Sequence, residues 1–162
     1  MSMTDRPIEV GLTQLIGINE SVGVDNFSAT ADLAVGATYG AGTARLVSGE
    51  IQSILLVSSE VGTGAVQEPT GWLFFFDADP NTASNDAAIT VVERGTIIGQ
   101  VEILAADWDS DANGATAYKT VAIPFHAVDT LYVVMRNEGA AINDNAADDE
   151  LIAINVWYRR DD

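Results

Sequence analysis

The sequence predicts an all-β protein: an antiparallel β-sandwich of jelly-roll type with an extended N-terminal arm. Three observations carry this. The run Trp-Leu-Phe-Phe-Phe at 72–76 gathers three of the five phenylalanines and one of the three tryptophans into five residues. Short apolar runs punctuated by turn residues recur from residue 46 to residue 160. No long segment repeats its apolar positions at the 3.6-residue period of an amphipathic helix.

Side chains alternate across a strand, so five successive large apolar residues need cover on both faces. Residues 72–76 are therefore expected to form a central strand between two packed layers. Gly71 before the run and Asp-Ala-Asp-Pro-Asn at 77–81 after it are turn chemistry, which limits the element to strand length.

Residues 1–45 read as the arm. Ile8, Val10 and Leu12 alternate, so 7–18 has the pattern of a strand, but the glycine-rich stretch 34–43 has no clear period. The sandwich domain is expected over 46–162. Leu46 and the apolar residues of 51–57 open it, Ser58-Ser59-Glu60 stop that strand, and 61–70, with Gly62, Gly64 and Pro69, makes a loop. Residues 89–92 predict a short β-branched strand, and 96–104 another with Ile97, Val101 and Ile103 in step on one face. Residues 105–113 predict a turn region with room for one helical turn at 105–109. Further strands are expected at 117–123, closed by Pro124, at 130–136, ended by Asn137-Glu138-Gly139, and at 151–158, where Ile152, Ile154, Val156 and Tyr158 alternate. Eight strands fit a jelly roll. The closing Arg159-Arg160-Asp161-Asp162 reads as a solvated tail, or as a docking point for an acidic neighbour.

Composition narrows the partners. A chain of 162 residues suffices for one domain with its own core. With no cysteine, disulfides, thiolate metal sites and cysteine nucleophiles are excluded. The start has no cationic segment leading into an apolar core, and no apolar run reaches the roughly 18 residues of a membrane span, so neither export by a visible signal nor a place in a membrane is expected. Twenty-four acids against seven bases give a net charge of -17, with Lys119 the only lysine. Nucleic-acid binding needs cations that neutralise phosphates, so no nucleic-acid partner is expected. The acids gather in turns, at Asp77, Asp79 and Asp86, at Asp107, Asp109 and Asp111, and at Asp144, Asp148, Asp149 and Glu150, where they keep the surface solvated.

The best metal candidate is Asp-Trp-Asp-Ser-Asp-Ala-Asn-Gly at 107–114, because the alternate carboxylates of Asp107, Asp109 and Asp111 in a tight loop can converge on calcium. It departs from an EF-hand loop where Ala112 replaces the bending glycine and Tyr118 the bidentate glutamate. A solvated turn without a cofactor is the default expectation. Asn-Asp-Asn at 143–145 and Asp-Asp-Glu at 148–150 are weaker candidates. His126, the only histidine, is expected to cap a strand end, and no Gly-x-Ser-x-Gly is present to pair with it. Glu102 lies in an apolar strand, but alternation turns it outward, away from the cover that a raised carboxyl pKa requires. The glycine-rich loops lack the lysine of a P-loop and the spacing of a dinucleotide turn. No catalytic site is therefore expected. Tyr39, Trp72, Trp108, Tyr118, Tyr132, Trp157 and Tyr158 could stack sugars, but their strand positions make core packing the ordinary reading.

Several segments together carry a resemblance. Trp-Leu-Phe-Phe-Phe-Asp-Ala-Asp-Pro-Asn at 72–81 is followed by Asn-Asp-Ala-Ala-Ile at 85–89, Ile-Gly-Gln-Val at 98–101 and Ala-Ala-Asp-Trp at 105–108. Ile-Pro-Phe at 123–125, Leu-Tyr-Val-Val at 131–134 and Trp-Tyr-Arg-Arg-Asp at 157–161 complete the set. Over about 46–162 this order resembles small structural proteins of tailed bacteriophages, similar to jelly-roll capsid decoration, or cement, proteins. The resemblance implies a non-enzymatic virion component on the outer capsid surface, bound to the major capsid protein and self-associated, as a trimer first and a dimer second. The alternative it leaves open is a receptor- or glycan-binding module of a phage tail or fibre.

Overall fold

The computed structural model describes residues 8–16, 28, 31–36, 45–59, 66, 68–80, 89–112, 114–139 and 152–161. Among them are nine strands: β1 (Ile8–Ile16), β2 (Ala31–Leu33), β3 (Val47–Ser59), β4 (Gly71–Phe76), β5 (Ile97–Ile103), β6 (Trp108–Ser110), β7 (Gly114–Val128), β8 (Leu131–Asn137) and β9 (Ile152–Arg160). One sheet has the order β1-β9-β3-β7-β6 and the other β2-β8-β4-β5. All pairings are antiparallel.

The pairings are nested. β1 pairs with β9, β2 with β8, β3 with β7 and β4 with β5, so the chain runs as one long antiparallel ribbon turned back between β4 and β5. Successive rungs of that ribbon fall in alternate sheets, and β3–β9 and β4–β8 contacts join them side by side. This is the wrapping of a jelly roll. β1 and β2, both within the stretch read as an arm, are strands of the two sheets.

Apolar residues from both inner faces interleave in one core. Ile51, Ile54, Leu56, Ile154 and Val156 of the first sheet meet Leu73, Phe75, Ile103, Leu131, Val133 and Met135 of the second. β4 is an interior strand, as its composition requires: Leu73 and Phe75 enter this core, while Phe74 and Phe76 join a second cluster with Ile89, Ile97, Tyr132 and Val134. Gly71 opens β4 at φ +144, and a Cβ there would strike the Arg136 carbonyl of β8. Gly99 lets β5 approach the other sheet, where a Cβ would meet the Ile123 side chain at 2.7 Å.

Several local expectations change. Residues 91–94 form a helical turn, α1 (Val91–Arg94), not a strand. Thr90 and Glu93 make the cause plain, since each side chain accepts from the other's backbone N–H in a capping box. A bulge in β5 between its pairings with Phe75 and Phe76 puts Ile97 in the second cluster and Ile98 against the main core, so Ile97 is out of step with Val101 and Ile103. The helical turn expected near 105 is a 3-10 turn, Ala105–Asp107, but Trp108–Ser110 then forms β6. β7 runs through Pro124, because β6 covers only 115–117 and among the described residues leaves that stretch without a second neighbour. Arg159 and Arg160 are not a solvated tail: both lie in β9, and Arg160 is 4% exposed.

Candidate functional site

The features singled out in the sequence lie in three places. In the acidic loop, the 3-10 turn hands the chain to β6, whose pairing with β7 brings Lys119 against Asp107 at 2.6 Å. Asp107 Oδ2 also accepts from the Leu104 N–H at 2.7 Å. The Lys119 hydrogen bond first, and then the Leu104 amide, hold its carboxyl below the ordinary value of 3.8. Asp107 is thus engaged within the fold, while Asp109 and Asp111 line a hollow of about 400 Å³ with Ser58 and Ser110. Among the described residues, no three acidic or histidine side chains come together as a metal site. Residues 143–145 and 148–150 lie outside the described residues.

His126 lies on a bulge. Val47 pairs with Val128 and Gly49 with Phe125, so two β7 residues, His126 and Ala127, face the single Ser48. Ala127 takes φ 51 and its N–H donates to Ser48 Oγ at 2.9 Å, while His126 Nδ1 lies 3.1 Å from the same oxygen. The serine hydroxyl closes the bulge, and His126 is exposed within β7 and not beyond its end as a cap.

The aromatic residues divide. Trp108 is buried with its indole N–H donated to the Pro69 carbonyl at 2.9 Å, and Tyr158 is buried. Trp72 and Tyr132 are half-buried; burial first, and then Asp32, Asp79 and Asp129, push the Tyr132 phenol up. Tyr39 lies outside the described residues. Core packing does not account for Tyr118 and Trp157, which are 59% and 41% exposed on the outer face of the first sheet. Trp157 pairs with Ser53 of β3, and Tyr118 pairs with Leu55 of the same strand from the other side. Between the two rings is a hollow of about 350 Å³ lined by Gln52, Ser53, Tyr118, Trp157 and Tyr158. The phase of β9 is the signal in the sequence: Trp157 falls opposite the inward row Ile154, Val156, Tyr158.

No protein-family model matches the chain, and no curated protein matches it. The chain is similar to one in the Israeli acute paralysis virus full particle heated to 63 degree, at 8% identity and TM-score 0.30, over 96% of this chain and 71% of that one. It is also similar to one in deformed wing virus, a honeybee pathogen, at 10% identity and TM-score 0.32, over 99% of this chain and 47%, about half, of that one. Likeness of this degree carries no argument about function.

Proposed function

We propose that this chain is a structural virion protein, a capsid decoration or cement protein that binds the outer surface of a tailed-phage head and stabilises the shell. The observation that carries the reading is the nested jelly-roll wrap under a strongly acidic exterior, with the resembling segments of β4, β5, β7, β8 and β9 among its strands. Asp32, Asp77, Asp79, Glu102, Asp109, Asp111, Asp129 and Glu138 are all exposed, within a chain of net charge -17. An acidic surface repels nucleic acid and keeps particles dispersed, which suits the outside of a shell packed with DNA. The same charge opposes crowding of many copies, so adhesion rests on apolar and hydrogen-bonded contacts from the N-terminal segment and one end of the sandwich. Repetition over a lattice makes weak single contacts effective. The partner is the major capsid protein, and a homotrimer over a local three-fold site is the first choice of assembly, a dimer the second.

Mixing the purified protein with expanded heads that lack it tests this reading: co-sedimentation is expected, and a chain left wholly in the supernatant would oppose it. The alternative, a receptor- or glycan-binding module of a tail or fibre, loses Trp108 as a stacking ring, since that indole is in the core.

A further inference from the structure

We infer that the outer face of the first sheet holds a binding site for a neutral oligosaccharide, seated in the hollow between Tyr118 and Trp157. The site is independent of the role in the virion.

Four properties of the hollow select this ligand. Two large aromatic side chains stand exposed on strands to either side of β3, and a large exposed apolar ring on a sheet face otherwise costs solubility. The residue opposite Trp157 on β3 is the small Ser53, which also lines the hollow beside the indole. The remaining lining among the described residues is uncharged: Gln52 offers an amide donor and acceptor and Ser53 a hydroxyl, the groups that pair with sugar hydroxyls. Finally, a net charge of -17 disfavours every anionic ligand, nucleotides and acidic glycans included. A sugar ring presents apolar C–H groups on a face and hydroxyls around its edge, which matches flat aromatic walls over a polar, uncharged floor.

Register fixes the length of ligand. Tyr118 and Trp157 are two strands apart and displaced by two residues along them, so their backbones lie about 12 Å apart. A short oligosaccharide is long enough to span that separation. The hollow's 350 Å³ is at the small end of ligand sites, in keeping with weak, contact-limited binding.

The test is a titration of the full chain with four neutral trisaccharides, maltotriose, cellotriose, chitotriose and galactotriose, read by the indole N–H resonance of Trp157 and by tryptophan fluorescence. At least one is expected to saturate with Kd on the order of 1 mM. Trp157→Ala is expected to abolish the response and Tyr118→Ala to weaken it about tenfold. Gln52→Ala, which leaves both rings in place, is expected to weaken it as well, and circular dichroism confirms that each variant is folded. Failure of all four sugars to saturate, an equal response from folded Trp157→Ala, or equal binding of an anionic trisaccharide would each overturn the site. So would an oligomer in sedimentation that Trp157→Ala converts to monomer, because the face would then be covered by a second copy. Capsid co-sedimentation is expected to be the same for Trp157→Ala as for the wild type, which separates this site from the virion role.

Discussion

The Tyr158 hydroxyl donates to the Val35 carbonyl at 2.9 Å, tying β9 of the first sheet to the turn that leaves β2 in the second. Both residues are buried, and the Tyr158 ring also meets Phe125 edge-on at 5.8 Å. Tyr158→Phe keeps the ring and removes the donor, leaving a buried carbonyl unpaired. Urea denaturation is expected to show a loss of about 1–3 kcal/mol, with amides of 31–36 exchanging faster. An unchanged midpoint would mean that this bond does not fasten the early strands to the sandwich.

Gly71 is the residue β4 cannot replace. Its φ of +144 excludes a side chain, and a Cβ would collide with the Arg136 carbonyl. Gly71→Ala is expected to cost at least about 2 kcal/mol by thermal or urea unfolding. Gly114→Ala, at a sheet end with ordinary φ, serves as the comparison, and equal losses would remove the conformational argument.

Asp107 makes stability depend on pH in a stated direction. Its folded pKa is depressed, so its contribution is complete above the ordinary value of 3.8 and is lost as pH falls through the lower folded value. Asp107→Asn is expected to lose up to about 1 kcal/mol at neutral pH. Once pH is below the folded value, wild type and variant are expected to unfold at the same urea concentration. A gap that persists in acid would show that the asparagine disturbs packing instead.

Calcium is expected to leave the thermal midpoint unchanged, and chelator likewise, since Asp107 is held by Lys119 and Leu104. A midpoint that rises with calcium, and stays put in Asp109→Asn, would restore the loop as a cation site through mass action.

Strands with clean alternation were legible in the sequence. The central strand at 72–76 and the inward row Ile154, Val156, Tyr158 stand where their patterns put them. β2 was not legible, because three residues, Ala31-Asp32-Leu33, carry no period and are placed by pairing with β8 and by burial of Ala31 and Leu33 in the core. At 89–92 β-branched composition outweighed the Thr90–Glu93 box, which is the stronger local signal. The Asp107–Lys119 pair was hidden for a tertiary reason: β6 must fold onto β7 before the two meet. Tyr118 and Trp157 read as core packing in the sequence, and only the structure shows that both are exposed and border the same stretch of β3.

Cryo-electron microscopy of tailed-phage particles carrying this chain tests the virion role most directly. Jelly-roll density projecting from the outside of the head, touching the major capsid protein at repeated lattice sites, is the expected image. Particles whose heads bear no such density, with the chain found in the tail instead, would contradict it.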